Sequence, residues 1–249
     1  MKKWFVFCCF VLLSACQSVR VPADFVYHEI KTSTFTIASW QKVTNPNAGY
    51  RVYIEGDGAA FKANGLPSNN PTPHGVFMRD ICFKDNAPNV VYLARPCQYV
   101  RDNRCKVDYW TTKRFAPEVV EAEYAAVEQI TKGEPVTLIG FSGGAQIAGL
   151  IAVLHPKLNV QKVITIAGNL DHKAWTDYHK LPALDGSLNL KDYKKAFAQI
   201  PQKHFVGQKD KVIPVALTEK FVGGDKIVVV KGVSHAKGWD EIYQEVYEQ

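Results

Sequence analysis

A short apolar run at residues 135–139 leads directly into Gly140-Phe141-Ser142-Gly143-Gly144, and an apolar segment with helical periodicity follows over residues 145–154. This order predicts a buried strand, a sharp turn that carries Ser142, and a helix. Glycines beside the serine remove side chains that would collide with neighbouring backbone in so sharp a turn. The hydroxyl would then lie at a helix N-terminus, where N–H groups and the helix dipole favour developing negative charge. The alternative is a glycine-rich turn that only packs a helix against a sheet.

Apolar and β-branched runs alternate with helical patterns along the rest of the chain. This alternation predicts an α/β fold with a mostly parallel central sheet flanked by helices. The apolar runs at 136–139, 163–167 and 227–230 are predicted to be buried central strands. Further strands are predicted within 25–38 and at 50–55, 89–93 and 204–206, with helices at 76–83, 117–130 and 239–246 and an irregular loop at 64–74.

The composition limits the class of protein. A chain of 249 residues with 47% hydrophobic and 22% charged residues suits one globular domain with a sizeable core. The net charge of +6 is spread along the chain, and no basic stripe is interleaved with aromatic residues, so nucleic-acid binding is not expected. We expect a monomer.

The N-terminal residues have the pattern of an export signal. Lys2 and Lys3 precede an apolar run of residues 4–13, which is too short to span a membrane as a helix. The run ends in Leu13-Ser14-Ala15-Cys16, which resembles a bacterial lipobox. The resemblance implies a lipoprotein signal peptide at 1–15 and a mature single domain at 16–249 with a lipidated Cys16. The alternative is an ordinary cleaved signal.

A lipidated Cys16 would attach the protein firmly to a membrane, because each buried methylene of its acyl chains contributes about 0.8 kcal/mol. Gln17 follows this cysteine. In Gram-negative lipoproteins an aspartate at that position tends to retain the protein at the inner membrane. We therefore expect a lipid-anchored protein of the cell envelope, on the periplasmic side of the outer membrane if the source is Gram-negative.

Three cysteines would remain in the domain besides Cys16. An oxidising compartment allows one disulfide and leaves one thiol. Cys97 and Cys105 flank a polar segment that has the composition of a surface loop, so we pair them, and the bridge would stabilise the fold by roughly 2.5 kcal/mol. Cys82 is predicted to be a small buried apolar residue.

Three residues with complementary chemistry follow three predicted strands, where ligand sites of open α/β sheets lie. Ser142, Asp210 and His235 come in this order along the chain, which is the order of the α/β-hydrolase triad. A serine hydroxyl becomes a good nucleophile only when a base accepts its proton, and the base in turn needs an orienting acid. Taken alone, Asp210 and His235 could be ordinary loop residues. Asp171, after the 163–167 strand, is the rival for the acid.

On these residues the chain resembles the α/β-hydrolase superfamily, and in particular a group of exported bacterial hydrolases and lipoproteins without a settled substrate. The resemblance extends from residue 50 to the C-terminus. It implies the α/β-hydrolase fold, with the insertion at 170–200 as a short cap over the site. The turn at residues 140–144, called the elbow below, is one block that carries the resemblance. The other blocks lie at 53–58, 67–73, 94–99, 110–115 and 167–171.

The resemblance also assigns an oxyanion hole, formed by the backbone N–H groups of Gly143 and Asp57. Glu55 stands where the superfamily commonly has a histidine. The alternative for Gly56-Asp57-Gly58 is a plain tight turn. Trp175 and His179 of the insertion are predicted to line a substrate pocket, or else to belong to a helix with an aromatic stripe that faces the core.

Other sites are not favoured by the pattern. Neither His172 nor His179 has a ligand-spaced histidine–carboxylate partner, so no metal is expected, and the triad chemistry needs no cofactor. Arg95, Arg101, Arg104 and Arg114 lie close in sequence. They could receive an acidic group of a substrate, although a solvated polar face is the favoured interpretation.

The sequence therefore predicts an esterase-like serine hydrolase that acts on an ester, thioester or amide of a small-molecule or acyl substrate. One alternative is a non-catalytic envelope lipoprotein that uses the same fold as a binding module. The other is an acyltransferase, in which an acceptor other than water takes the acyl group.

Overall fold

The computed structural model describes residues 20–248, which fold into one sheet flanked by helices. The eight strands are β1 (Val26–Lys31), β2 (Thr36–Val43), β3 (Tyr50–Ile54), β4 (Asn89–Leu93), β5 (Val136–Phe141), β6 (Val160–Ile166), β7 (Gln202–Gly207) and β8 (Ile227–Val230). Their order is β1-β2-β4-β3-β5-β6-β7-β8. The pairs β1–β2 and β2–β4 are antiparallel, and the other pairs are parallel. The predicted α/β fold with a mostly parallel sheet is confirmed.

Helices cover both faces of this sheet. They are α1 (Phe77–Phe83), α2 (Pro117–Thr131), α3 (Gly143–Leu154), α4 (His172–His179), α5 (Lys194–Phe197), α6 (Val215–Val222) and α7 (Tyr243–Tyr247). Successive residues of β3 enter different cores, because side chains alternate along a strand. Val52 and Ile54 pack into the cluster that contains α2 and α3 residues, whereas Tyr53 packs into the cluster that contains α1 and α7 residues.

The position of β8 differs from the prediction. The apolar run at 227–230 was expected to be a central strand, but among the strands of residues 20–248 β8 lies at the edge of the sheet and pairs only with β7. Val229 is 47% exposed there. Apolar composition indicates a strand but does not indicate how many neighbours that strand will have. The predicted C-terminal helix is also shorter, because α7 is preceded by a 3-10 turn at Asp240–Ile242.

The segment between β6 and β7 packs mainly along the side of the domain. Leu190 is fully buried, and it lies so close to α3 that a Cβ atom on Gly149 would be 2.4 Å from it. The backbone N–H of Leu188 donates to the carbonyl of Phe115. The predicted insertion is therefore anchored to α3 and to the segment before α2.

Cys97 and Cys105 form the predicted disulfide, and Cys82 is a buried free thiol. Within residues 20–248 no helix is both long enough and apolar enough to cross a membrane. The signal peptide predicted at 1–15 and the predicted lipidation site Cys16 lie outside the described residues.

Candidate active site

Ser142 lies on the sharp turn between β5 and α3. Its backbone has φ of 51° and ψ of −118°, a strained conformation for a residue with a side chain, of the kind that is concentrated at functional sites. The turn is tightly packed: a Cβ atom on Gly144 would lie 2.4 Å from the carbonyl oxygen of Ile54. Glycine at 144 is therefore required by the close approach of the β3 backbone, as the sequence pattern predicts.

A chain of hydrogen bonds leads from Ser142 to His235 and Asp210. The Ser142 Oγ atom lies 3.1 Å from His235 Nε2, and His235 Nδ1 lies 2.9 Å from Asp210 Oδ2. The Asp210 side chain is fully buried, and its Oδ1 atom accepts from the N–H groups of Val212 and Ile213 at 2.8 and 2.9 Å. This arrangement fixes the carboxylate and leaves its second oxygen to orient the imidazole.

Asp171, the rival for the acid, has a different place. Its Oδ1 atom accepts from the backbone N–H of Ala174 at 3.1 Å and from Asn189 Nδ2 at 2.8 Å. Asp171 is thus the N-cap of α4 and ties that helix to the far end of the insertion. The structure brings His235 to Asp210 instead.

The loop after β3 lies beside the N-terminus of α3. Of its backbone donors, the N–H of Gly56 is occupied, because it donates to Glu55 Oε1 at 2.8 Å. Within the described residues the Asp57 N–H has no hydrogen-bond partner. Glu55 is buried, and its Oε2 atom accepts from the Tyr92 hydroxyl at 2.7 Å. Burial raises the pKa of Glu55.

The Asp57 side chain packs against the elbow and is held by two arginines. A Cβ atom on Gly143 would lie 2.1 Å from Asp57 Oδ1, so this carboxylate rests on the first residue of α3. Arg114 Nη1 lies 2.7 Å from Asp57 Oδ2, and Arg95 Nη1 lies 3.5 Å from Asp57 Oδ1. Behind them, Arg95 Nε is 3.1 Å from Oε1 of the fully buried Glu123.

These contacts correct the favoured interpretation of the four arginines as a solvated face. Arg101 and Arg104 are exposed, but Arg95 and Arg114 are each only 5% exposed. A buried arginine needs a charged partner, and Asp57 is too distant in sequence for local spacing to reveal the pairing. Asn169 was also missed; it is 6% exposed, and its backbone N–H donates to the Ser142 carbonyl at 2.9 Å.

A cavity of about 470 Å³ opens over Ser142 and His235. The insertion contributes Trp175 to its wall, whereas His179 does not line it. Trp175 Nε1 and His179 Nε2 both lie within hydrogen-bond distance of the Val212 carbonyl, which anchors α4 beside the cavity. Besides Ser142 and His235, its polar lining residues are Glu55, Asp57, His74, Arg114 and Asn169. The apolar wall is formed by Phe61, Phe77, Met78, Phe141, Val212 and Ile213.

A larger open groove of about 740 Å³ lies elsewhere, beside β1 and the end of α2. Its lining contains neither serine nor cysteine, whereas the smaller cavity is lined by Ser142 and His235. Across residues 20–248 no group of three or more histidine, cysteine, aspartate or glutamate side chains is arranged to hold a metal ion.

The sequence model of the family described as serine hydrolase (FSH1) matches residues 99–232, just over half of the chain. The chain belongs to this serine hydrolase family. The match includes Ser142 and Asp210 and ends three residues before His235. No curated protein sequence matches this serine hydrolase significantly.

Solved structures share the fold of this serine hydrolase at low sequence identity. The α/β hydrolase GrgF from Penicillium sp. sh18 is 12% identical with a TM-score of 0.64, and 90% of this chain and 96% of that chain are covered. Est1E from Butyrivibrio proteoclasticus is 13% identical with a TM-score of 0.60, over 91% and 95% of the two chains. XC6422 from Xanthomonas campestris, described as an α/β serine hydrolase without a lid, is 13% identical with a TM-score of 0.52, over 91% and 92%. These similarities establish the α/β-hydrolase fold.

Proposed function

We propose that this serine hydrolase cleaves carboxylic esters through an acyl-enzyme formed on Ser142, with His235 as the base and Asp210 as the orienting acid. The observation that carries the proposal is the continuous hydrogen-bond chain from Ser142 Oγ through the imidazole to the buried carboxylate, at 3.1 and 2.9 Å. Ser142 and His235 line a cavity that is large enough for a small substrate.

The steps follow from the positions of these atoms. His235 Nε2 accepts the Ser142 proton as Oγ attacks the ester carbonyl carbon, and the same nitrogen then protonates the leaving alcohol. Asp210 stabilises the imidazolium that forms between these steps, because its Oδ2 atom is on Nδ1. Water that His235 activates then attacks the acyl-enzyme and releases the acid, which restores the serine hydroxyl.

The tetrahedral oxyanion would be stabilised by the backbone N–H groups of Gly143 and Asp57. Two features support this assignment: Gly143 is the first residue of α3, where N–H groups point out of the helix, and the Asp57 N–H is without a partner in the described part of the chain. Gly56 cannot share the role while its N–H donates to Glu55.

The cavity favours an ester with a small or medium-sized apolar part. Its wall is mainly aromatic and aliphatic, and the insertion adds one tryptophan rather than a long apolar lid. Thioesters and amides share the same acyl-enzyme route, so the leaving group is the variable to test.

The test is labelling of residues 16–249 with a fluorophosphonate probe, beside Ser142→Ala and with 4-nitrophenyl esters of increasing acyl length. We expect labelling of the wild type, none of the variant, and hydrolysis that falls by about 10⁵-fold or more in the variant. A folded wild type that is neither labelled nor active would favour the binding-module alternative. Products formed with added alcohols would reveal acyl transfer.

We also propose that the enzyme is anchored in the cell envelope by lipidation of Cys16, because Leu13-Ser14-Ala15-Cys16 has the lipobox pattern. The test is metabolic labelling of the full chain with an alkyne-bearing palmitate, with Cys16→Ser as the control. Incorporation that persists in the variant, or is absent from the wild type, would contradict this part of the proposal.

A further inference from the structure

Arg114 presents hydrogen-bond donors that no residue of the described chain uses. Its Nε atom donates to the Thr111 carbonyl at 2.6 Å, and its Nη1 atom pairs with Asp57 at 2.7 Å. Nη2, which carries two of the five N–H bonds of a guanidinium, makes no hydrogen bond within residues 20–248. Arg114 is 5% exposed, and it lines the cavity that contains Ser142.

The position of Arg114 is fixed by its surroundings. The guanidinium lies over the Phe61 ring, 5.5 Å from the ring centroid, and Phe61 also lines the cavity. The carbonyl of Arg114 accepts a hydrogen bond from Arg95 Nη2. A buried, pre-oriented guanidinium is a strong receptor for a carboxylate or phosphate oxygen, because little side-chain entropy remains to be lost.

The charges behind the cavity do not cancel the charge of Arg114. Arg79, Arg95 and Arg114 are near the carboxyl groups of Glu55, Asp57 and Glu123. Burial raises the pKa of Glu123 to about 8 and raises the pKa of Glu55. A carboxyl group with a raised pKa carries less negative charge near neutral pH, so the three arginines leave the cluster with an excess of positive charge.

We propose that Arg114 binds an anionic group of the substrate, so that the preferred esters carry a carboxylate or phosphate close to the scissile bond. This inference rests on the proposed ester hydrolysis and narrows its substrate class. Asp57 competes with the substrate anion for the same guanidinium, since it already occupies Nη1. Removing the Asp57 charge while keeping its shape should therefore strengthen recognition of anions.

The experiment compares matched pairs of esters that differ by one negative charge. On the acyl side the pair is the 4-nitrophenyl hemiester of glutaric acid and 4-nitrophenyl valerate. On the alcohol side the pair is the butyryl ester of 4-hydroxybenzoate and that of 4-hydroxybenzamide. The ratio of kcat/KM within each pair, corrected for spontaneous hydrolysis, is measured for the wild type, Arg114→Gln and Asp57→Asn, with Arg101→Gln as the exposed-arginine control.

We expect the wild type to prefer the anionic ester of at least one pair by about 10- to 100-fold, as a charge-assisted hydrogen bond implies. Arg114→Gln should remove that preference, so that kcat/KM falls more on the anionic ester than on its neutral partner. Asp57→Asn should increase the preference, and Arg101→Gln should leave it unchanged.

Two results would overturn the proposal: no anionic preference in either wild-type pair, or, in the pair that shows the preference, an equal loss on both members in Arg114→Gln. The equal loss would make Arg114 a positioning residue for the Asp57 loop. A wild type that hydrolyses no neutral ester and is not labelled by the fluorophosphonate would instead contradict the proposed function itself.

Discussion

Two regions meet at the same cavity, yet they are built differently. The first is the hydrogen-bonded chain of Ser142, His235 and Asp210. The second is the charged cluster of Asp57, Arg95, Arg114 and Glu123. Each member of the first follows the end of a strand, at β5, β7 or β8. The cluster instead combines the loop after β3, a loop after β4, the segment before α2 and Glu123 of α2 itself.

The difference concerns what holds each group in place. The carboxyl ends of parallel strands lie at one edge of the sheet whatever the loops contain, so the arrangement of Ser142, His235 and Asp210 follows from the fold. The cluster depends on buried charges that need one another, because removing one partner leaves the other desolvated and unpaired. We therefore expect changes in the first region to affect turnover with little effect on folding, and changes in the second to affect both.

The largest effect that tests this comparison is expected at the acid. Asp210→Asn keeps an oxygen for the N–H groups of Val212 and Ile213 but presents the wrong group to His235, so kcat should fall by about 10⁴-fold while the melting temperature changes little. The matched control is Asp171→Asn, which keeps the helix cap and should stay within about twofold of wild-type activity. A greater loss at Asp171 than at Asp210 would reverse the assignment of the acid.

An intermediate loss of activity is expected at Gly143, where the elbow contacts the Asp57 side chain. Gly143→Ala places a methyl group against Asp57 Oδ1, at 2.1 Å before any shift, and should displace the loop that supplies the Asp57 N–H. We expect kcat/KM for a neutral ester to fall by about 10²- to 10³-fold, as for loss of an oxyanion donor.

The control for Gly143→Ala is the double variant with Asp57→Ala, which removes the clashing carboxylate and keeps the backbone N–H. The double variant should lose less activity than the product of the two single losses. Independent, multiplicative losses would show that contact between the carboxylate and α3 does not set the geometry of the donors.

The smallest effect concerns stability and belongs to the cluster alone. The pKa of Glu123 is raised from 4.5 to about 8 in the folded protein. The folded state therefore retains a proton that the unfolded chain releases, and this contribution to stability is present below pH 4.5 and lost as the pH rises through 8. Glu123→Gln has no such loss.

We expect the free energy of unfolding of Glu123→Gln, relative to wild type, to rise by at least about 1 kcal/mol between pH 5 and pH 9. Urea unfolding at the two pH values measures this difference, with Glu128→Gln on the exposed face of α2 as the control. A difference that is constant with pH would mean that Glu123 remains ionised throughout, paired with Arg95.

The sequence predicted the parts of this molecule that depend on local order. The elbow around Ser142 could be predicted because its glycines and the flanking apolar runs are adjacent in the sequence. The disulfide between Cys97 and Cys105 followed from a short polar loop. The acid remained open between Asp171 and Asp210, because both follow strands and only the packed structure determines which of them reaches His235.

The remainder depended on tertiary contacts that no local pattern encodes. The edge position of β8 was missed because the apolar composition of a strand does not determine which strands pair with it. Burial of Arg95 and Arg114 was missed because their partner, Asp57, lies far away in the sequence. The insertion was expected to cover the site, but Leu190 binds it to the side of α3 and only Trp175 reaches the cavity.

Because β8 lies at the edge of the sheet, we expect the segment that carries His235 to open at a lower free energy than the segment that carries Ser142. Ser142 follows the central strand β5, whereas His235 follows β8, which among the described strands has a partner on one side only. Edge strands open at a lower free energy than the core of a sheet. Fraying of that edge would remove the base from the nucleophile while most of the backbone stays ordered. On heating, turnover should therefore vanish before circular dichroism records any melting, and coincident curves would show that the edge opens only when the whole domain does.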